Sequence, residues 1–282
     1  MQTVSSVEAL RSQVRQWRQN GLSVAFVPTM GNLHDGHIQL VNQAKQQADK
    51  VVVSIFVNPT QFGPNEDFAS YPRTESQDQQ RLVACDTDLL FLPSVETLYP
   101  SGSQTQISVT GLSTLHCGAH RPGHFDGVAL IVCKLLNIVQ PDLLLLGEKD
   151  FQQLAVIRTM VADLNMPVSI QGVATVRESD GLAMSSRNGY LSEQQREVAP
   201  QLYQALISAR DAILAGNADL QAVSDQQTQA LQQAGFSVDY FNICRSNDLA
   251  PAGDDDQDLV ILVAARLGKT RLIDNVYFAR QG

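Results

Sequence analysis

The sequence predicts an α/β protein with a doubly wound parallel sheet and a second, smaller α+β domain. Two observations favour this fold class. In the first 176 residues, short apolar runs alternate with helical patterns, which is typical of a parallel sheet with right-handed crossovers. After residue 176, three apolar runs end the chain, and the tight turn at 267–269 makes the last two antiparallel neighbours. The predicted domains are therefore 1–176 and 177–282.

Apolar runs of β-rich composition define the strands of the first domain. The run at 51–57 is apolar on almost every side, as in a buried parallel strand. Before it, Ile38, Val41 and Ala44 recur at three-residue steps, which predicts a helix that begins near Asp35. The predicted strands are 24–28, 51–57, 89–92, 143–146 and 168–176, and the later helices are 77–84, 128–139 and 151–163.

The predicted second domain begins with the polar loop after residue 176. Ser192 and Gln195 have the spacing of a capping box, which predicts the start of a long helix. The last predicted strands are 238–244, 259–265 and 271–277. The acidic stretch 254–258 is predicted to be a solvated loop, because blocks of like charge usually face water.

Composition and charge exclude several classes of protein. The 282 residues include 20 Lys and Arg against 29 Asp and Glu, a formal net charge of −9, whereas a nucleic-acid surface needs the opposite sign. The longest apolar stretch, 128–139, is interrupted by Lys134 and is shorter than the roughly 18 residues of a membrane span. The start of the chain lacks a basic head followed by an apolar segment, so a cytoplasmic protein is predicted. The four cysteines form no C-x-x-C pair and are predicted to be structural thiols.

Polar segments follow the predicted strands, at the edge where an open α/β sheet binds ligands. After the first strand comes His34-Asp35-Gly36-His37. If the helix begins near Asp35, its free N–H groups and its dipole face the same crevice as the two imidazoles. Such a corner suits a polyphosphate, although the tetrapeptide taken alone is more simply explained by two surface histidines in a loop.

Two further segments offer phosphate-binding groups. The strand at 143–146 leads into Gly-Glu-Lys-Asp at 147–150, where Lys149 can bind phosphate and Asp150 can accept hydrogen bonds from ribose hydroxyls. A helix-capping turn with a solvated ion pair is the alternative for this segment alone. Met-Ser-Ser-Arg at 184–187 supplies two hydroxyls and a guanidinium, and the alternative there is a polar linker.

Together these segments resemble the HxGH superfamily of nucleotidyl-transferring enzymes, in which a His-x-Gly-His element and a mobile Lys-Met-Ser-Lys-Ser-like loop bind ATP across its α-phosphate. Within it, six ordered blocks that span nearly the whole chain are similar to the pantothenate synthetase (pantoate–β-alanine ligase) family. The blocks are PTMGNLHDGH at 28–37, SIFVNPTQF at 54–62, YPRT at 71–74, RPGHFDGV at 121–128, GEKDFQQL at 147–154 and DGLAMSSRNGYL at 180–191.

The resemblance implies a Rossmann-like first domain that binds ATP and pantoate, with the second domain acting as a lid. It implies ATP-dependent ligation of (R)-pantoate and β-alanine to pantothenate. The pantoate carboxylate attacks the α-phosphate and expels pyrophosphate, and β-alanine then displaces AMP from pantoyl adenylate. Mg²⁺ accompanies the phosphates, and a homodimer is implied.

The resemblance also assigns residues. ATP contacts are implied for Met30, Gly31, Asn32, Leu33, His34, Asp35, Gly36, His37, Gly147, Glu148, Lys149, Asp150, Val176, Met184, Ser185, Ser186 and Arg187. The groups expected to act in catalysis are His34, His37 (the proton donor), Lys149, Ser185, Ser186 and Arg187. Pantoate contacts are expected from Gln61 and Gln153, with Gln61 also lining the β-alanine site, and further substrate contacts from Met30, Arg121 and His124.

These residue types suit the implied chemistry. The substrate carboxylate is itself the nucleophile, so the protein has to align it and stabilise the charge that moves onto pyrophosphate. The neutral amides of Gln61 and Gln153 can bind a hydroxyl and a carboxylate without quenching the nucleophile. Without the resemblance, both glutamines are more simply explained as solvent-facing side chains.

Two features bear on metal binding. Where some relatives have adjacent acids, this chain has Gln77 followed by Asp78, so an acidic contact to Mg²⁺ is expected from Asp78 alone. A second tract resembles a zinc cluster but lacks the paired spacing of structural zinc sites, so no zinc is expected there. It consists of His116, Cys117, His120 and His124.

Three alternative functions remain open at this point. An HxGH nucleotidylyltransferase, which transfers AMP to a phosphorylated acceptor, would need cations where this chain has Gln61 and Gln153. An aminoacyl-tRNA synthetase conflicts with the negative charge and leaves little room for an anticodon-reading domain. A relative that binds ATP without turnover is distinguished by an assay of pyrophosphate release.

Overall fold

The first domain is built on a parallel sheet with helices on both faces. The computed structural model describes residues 1–64, 66–216 and 219–280, so the last two residues of the predicted second domain lie outside the described residues. The strands of the sheet are β1 (Gln2–Val4), β2 (Val24–Thr29), β3 (Lys50–Ile55), β4 (Leu89–Phe91), β5 (Leu143–Gly147) and β6 (Ser169–Val173). The helices are α1 (Val7–Gln19), α2 (Asp35–Lys45), α3 (Glu75–Ala84), α4 (Val95–Leu98), α5 (His116–His120), α6 (His124–Val139) and α7 (Phe151–Asp163).

The strand order places a crevice between β2 and β5. The order is β1-β4-β3-β2-β5-β6, and every pairing is parallel. From β2 the chain adds β3 and β4 on one side, and it then crosses over to add β5 and β6 on the other. Ligands of open α/β sheets bind at such a reversal, outside the carboxyl ends of the strands. The segments at 34–37 and 147–150 lie at the ends of β2 and β5, and therefore beside this crevice.

Alternation of side chains along β2 builds the core on both faces. Val24 and Phe26 belong to one apolar cluster, with most of α6, whereas Ala25 and Val27 belong to the opposite cluster, with Val41 of α2. Successive side chains of a strand point to opposite faces, so a strand covered on both sides needs apolar residues at consecutive positions. This explains the continuous apolar runs in the sequence.

The second domain is a small α+β unit, as predicted. Its strands are β7 (Ser237–Arg245), β8 (Asp258–Leu267) and β9 (Thr270–Ala279), and its helices are α8 (Glu193–Val198), α9 (Gln201–Leu214) and α10 (Leu220–Gln233). The sheet is antiparallel in the order β7-β8-β9. One face packs on α9 and α10. On the other face, Cys244 and Leu262 pack against Leu115 and Phe151 of the first domain, and this contact fixes the two sheets next to each other.

Several predicted elements differ from the structure. The capping box of Ser192 and Gln195 is present, but the predicted long helix is interrupted after α8, because Pro200 has no backbone N–H to continue it and instead begins α9. The strand predicted at 168–176 ends at Val173. Neither β1 nor α1 was predicted. No helix among the described residues is long and apolar enough to cross a membrane.

Candidate active site

A cavity of about 830 Å³ lies between the crevice of the parallel sheet and the second domain. It brings together most of the predicted site residues. Those that line it are Met30, His34, Gly36, His37, Gln61, Arg121, His124, Gly147, Lys149, Asp150, Gln153, Val176, Met184, Ser185, Ser186 and Arg187. The other predicted ATP contacts lie behind or beside its wall: Gly31, Asn32, Leu33, Asp35 and Glu148.

The side chains of two of these residues do not face the cavity. The side chain of Leu33 is 6% exposed in the core, and its backbone N–H is already donated to Asp78. The carboxylate of Asp35 is 69% exposed and pairs with Arg81. Neither side chain therefore supports the predicted ATP contact.

The start of α2 fixes the two histidines. His34 caps the helix by accepting the Gly36 N–H at its Nδ1 (3.2 Å), and His37 accepts the His34 N–H at its own Nδ1 (3.2 Å). The ring centroids are 4.1 Å apart. A side chain at position 36 would displace the His34 ring, because its Cβ would lie 2.9 Å from that ring. Both Nδ1 atoms act as acceptors, so each neutral ring carries its proton on Nε2.

Burial keeps both rings neutral. Desolvation, reinforced by His34 and Lys149, lowers the pKa of His37 to about 3. Desolvation and Lys149 lower the pKa of His34 to about 4. At neutral pH the two residues therefore offer hydrogen-bond donors at Nε2 and not the positive charge of an imidazolium. The described residues provide no hydrogen-bond partner for either Nε2 atom.

Lys149 lies on a short 3₁₀ turn, Glu148–Asp150, between β5 and α7. Its side chain is 19% exposed, and Nζ is 4.0 Å from the Asp150 carboxylate. The backbone of the turn is held from the second domain, since Asn275 of β9 donates to the carbonyls of Glu148 (2.8 Å) and Lys149 (2.9 Å). The chain thus presents one ammonium group beside the two imidazoles.

The loop at 184–187 reaches the first domain. The Ser186 hydroxyl donates to the Asn32 carbonyl (3.1 Å), and Ser185 caps the following turn. The Arg187 guanidinium makes two hydrogen bonds of 2.9 Å to the Asp67 carboxylate and lies over the ring of Tyr71. The predicted phosphate-binding cation is therefore paired with an acid of the first domain.

Asp78, the expected contact to Mg²⁺, is bound by backbone groups of the protein. Its carboxylate accepts the backbone N–H groups of Asn32 (2.9 Å) and Leu33 (2.8 Å) and the Thr74 hydroxyl (3.2 Å), and the residue is 2% exposed. Both oxygens are engaged inside the protein, which favours a structural role over the expected direct contact to Mg²⁺. Asp78 instead holds the turn that contains Gly31, whose φ is +82°.

The glutamines are not solvent-facing. Gln61 is 9% exposed; its Oε1 accepts from Asn58 (3.0 Å) and its Nε2 lies 3.1 Å from the Met30 sulfur. Asn58 also donates to the Gly127 carbonyl (3.1 Å). Gln153 is half-buried on α7, lines the cavity and makes no hydrogen bond with the described residues. Two amides thus face the cavity: that of Gln61 is held by protein contacts, and that of Gln153 is available to bind a ligand.

Arg121 and His124 are already paired within the protein. Arg121 makes two hydrogen bonds of 2.6 Å to Glu66. His124 donates from Nδ1 to the Gln61 carbonyl (2.8 Å) and accepts from Arg121 at Nε2 (3.0 Å). Burial and Arg121 lower the pKa of His124 to about 4. Burial alone would raise the pKa of Glu66, but Arg121 lowers it to about 2. Arg121 and His124, which were predicted to contact substrate, therefore bond to the backbone carbonyl of Gln61 in this structure.

Metal-binding clusters are absent from the part of the chain that the structure describes. No group of three or more His, Cys, Asp or Glu side chains is placed to hold an ion. In the zinc-like tract, His116 bonds to the Leu249 carbonyl (2.8 Å) and to Asn242 (2.8 Å), whereas His124 faces the cavity. His116 and His120 both lie against the ring of Tyr240, away from His124, so the three rings do not converge on one point.

Sequence reasoning missed several residues of the site. Asn58 and Tyr71 lie within the blocks that carry the resemblance, so their positions offered a signal. Glu66 and Asp67 lie outside those blocks. They belong to the site because they pair with Arg121 and Arg187, which are distant in the sequence. Asn275 lies in a strand of the second domain, where no local pattern pointed to the site.

Comparison with known proteins identifies the family. Residues 2–277 match the model of the pantoate-beta-alanine ligase family. The chain is 57% identical to a pantothenate synthetase of Alcanivorax borkumensis over 280 residues, covering 99% of this chain and 98% of that one. It is 56% identical to one of Pseudomonas savastanoi pv. phaseolicola over 282 residues, covering 99% and 100%.

Solved structures that resemble this chain belong to the same family. The pantothenate synthetase of Thermus thermophilus superposes with a TM-score of 0.92 at 46% identity, covering 98% of this chain and 99% of that chain. The pantoate-beta-alanine ligase of Francisella tularensis, complexed with beta-gamma ATP and beta-alanine, gives a TM-score of 0.81 at 35% identity, covering 98% and 97%. The chain therefore belongs to the pantoate–β-alanine ligase family.

Proposed function

We propose that this enzyme joins (R)-pantoate and β-alanine at the expense of ATP, through pantoyl adenylate, and that the cavity is the place where both steps occur. One observation carries the proposal. The donors suited to a triphosphate, His34, His37 and Lys149, share a single cavity with the neutral amides of Gln61 and Gln153. An anionic carboxylate can therefore be held next to an α-phosphate without a cation that would quench it.

The first step needs alignment and charge stabilisation. Gln153 and Gln61 hold the hydroxyl and carboxylate groups of pantoate, and the apolar wall formed by Phe56, Val128 and Ile131 accommodates its dimethyl carbon. The carboxylate oxygen forms a bond to the α-phosphorus as the bond to pyrophosphate breaks. No protein nucleophile is required.

The histidines act as neutral donors in this step. With Nδ1 held by the backbone, Nε2–H of His34 and of His37 can donate to phosphate oxygens, and Lys149 adds a positive charge. His37 is neutral at pH 7, so it acts as a hydrogen-bond donor. This hydrogen bond strengthens as negative charge builds on the phosphates, which is how His37 fulfils the expected role of proton donor. The bound triphosphate raises the pKa of both rings above that of the free protein.

Arg187 joins the phosphates by exchanging partners. In the free enzyme, Asp67 neutralises its guanidinium. A triphosphate presents more negative charge than one carboxylate, so it can draw Arg187, together with Ser185 and Ser186, towards the nucleotide. In this proposal the second domain acts as a lid, and the exchange from Asp67 to ATP accompanies its closure.

Mg²⁺ fits a site in which ATP supplies most of the ligands. Magnesium sites of this kind use one or two carboxylates, with phosphates and water. Asp150 lines the cavity with a 45% exposed side chain, whereas Asp78 is consumed by the backbone, so Asp150 is the carboxylate suited to hold the ion or its waters. When bound, the ion neutralises charge on the phosphates.

In the second step the amine of β-alanine attacks the acyl carbon, and AMP leaves with the electrons of the acyl–oxygen bond. Gln61 lies beside the acyl group and is proposed to contact both acceptor and intermediate. The homodimer, which the family resemblance implies, and the cytoplasmic location, which the sequence predicts, remain predictions.

Release of pyrophosphate tests this function. With ATP, Mg²⁺ and pantoate alone, the enzyme should release about one pyrophosphate per site and retain pantoyl adenylate; adding β-alanine should start steady turnover. Release that depends on a phosphorylated acceptor would favour the nucleotidylyltransferase. That alternative would need cations for its acceptor, whereas the described cavity offers the neutral amides of Gln61 and Gln153 there. Binding of ATP without any release would indicate a non-catalytic relative.

A further inference from the structure

The turn that carries Lys149 receives two hydrogen bonds from the second domain. Its first residues follow β5 directly, and no side-chain cap is present at Gly147 or Asp150. The carbonyls of Glu148 and Lys149 both accept from Asn275, which is 7% exposed and 126 residues beyond Lys149 in the chain. One buried amide therefore holds two successive peptide groups.

Asn275 is itself held in place. Its backbone N–H donates to Asp274 (2.8 Å), and the Asp274 carboxylate receives two hydrogen bonds from Arg177, at 2.6 and 3.0 Å. The Arg177 guanidinium lies 3.6 Å from the centre of the Tyr203 ring. This buried chain of contacts fixes β9 next to the turn, so the Asn275 amide has little freedom to follow a displaced carbonyl.

We propose that Asn275 is a positioning residue for Lys149, and thus that the second domain sets the placement of the cation at the phosphates. The proposal rests on the proposed function of Lys149. Both Nδ2 hydrogens of Asn275 are used by the turn, so its loss frees two peptide groups and lets Lys149 move. A displacement of about 1 Å from the aligned geometry can lower a reaction rate by about 10²-fold.

Two variants of Asn275 test this role. Asn275→Asp keeps the shape but turns the donor into a carboxylate that faces two carbonyls, and Asn275→Ala removes the amide without adding charge. Both should lower kcat for pyrophosphate release by about 10- to 100-fold. KM for pantoate should stay within about twofold, since Gln61 and Gln153 lie on other elements and a positional error of Lys149 acts on the phosphates.

Asn242→Ala is the matched control. Asn242 is also an amide of the second domain that bonds to the first, through His116 (2.8 Å), but it does not contact the turn. It should leave kcat near the wild-type value. An equal fall of kcat in Asn242→Ala would show that loosening the domains, and not positioning Lys149, lowers the rate, and would overturn the proposal.

A double variant separates positioning from general damage. If Asn275 acts through Lys149, then Asn275→Ala should cost little more in a Lys149→Ala background, whereas independent effects would multiply. Multiplied losses overturn the proposal, as do Asn275 variants with full activity or variants that are unfolded at the assay temperature by thermal melting. If Lys149→Ala itself is fully active, the proposed function of Lys149 fails first, and this inference fails with it.

Discussion

Two histidine-containing regions line the same cavity and are similarly buried, but they differ in whether a ring nitrogen is left to bind a ligand. At the start of α2, His34 and His37 use only Nδ1 within the protein. At the start of α6, His124 uses both nitrogens, one for the Gln61 carbonyl and one for Arg121. Burial lowers the pKa in all three cases, to between about 3 and about 4.

The difference teaches that a lowered pKa does not by itself identify a group that acts on substrate. All three rings are neutral at pH 7, but the described contacts leave an Nε2–H open to the cavity only in the first region. In the second region, both ring nitrogens of His124 bond to Arg121 and to the Gln61 carbonyl. These contacts support the proposed phosphate binding by His34 and His37 and a supporting role for His124.

The largest expected effect separates these regions directly. His37→Ala should lower kcat by about 10²–10³-fold, the cost of losing one donor aimed at developing charge. His124→Ala should cost about tenfold or less, because it removes a hydrogen bond to a backbone carbonyl and not a contact to the phosphates. Pyrophosphate release at saturating ATP and pantoate measures both. Equal losses would erase the distinction.

Lys149→Ala should lower kcat by about 10²-fold, since it removes the positive charge next to the imidazoles. Thermal unfolding should change little, because the side chain faces the cavity and not a core. Lys45→Ala, which removes a lysine paired with Asp86, is the surface control and should retain activity. An unchanged kcat in Lys149→Ala would remove this residue from the site.

Gln61→Ala sharpens the assignment of the supporting region. We expect KM for pantoate to rise about tenfold, the cost of one lost hydrogen bond to a charged group, while KM for ATP stays near its original value. Initial rates with each substrate varied in turn measure the two constants. Equal increases in both would contradict a pantoate contact at Gln61.

The smallest expected effect is on stability against pH. The three histidines have folded-state pKa values below the usual 6.5, so the unfolded chain binds more protons as the pH falls. Their contribution is fully present above about pH 6.5 and is lost progressively as the pH falls through about 4 and then about 3. The urea midpoint should therefore fall between pH 7 and pH 5, and less so in His124→Ala. A midpoint that stays constant over this interval would contradict the buried neutral rings.

The sequence predicts the placement of the site better than the state of its charges. Alternating strands and helices predicted a parallel sheet with ligands at the carboxyl ends of its strands, so the placement of His37 and Lys149 at that edge was predictable. The strand order that reverses between β2 and β5 was not predicted. The pairing of Arg187 with Asp67 was not predictable, because it depends on which distant acid the fold brings near. The contacts of Asp78 were unpredictable for the same reason: nothing local reveals that two backbone N–H groups will bind its carboxylate.

The tautomers of the imidazoles test the central claim most directly. In protein labelled with ¹⁵N-histidine and assigned with single variants, long-range ¹H–¹⁵N correlation at pH 7 reports which nitrogen carries the proton. We expect protonated Nε2 in His34 and His37, and protonated Nδ1 in His124, with no imidazolium among the three. An imidazolium signal for His37, or a protonated Nδ1 in it, would contradict the proposed donor at the phosphates.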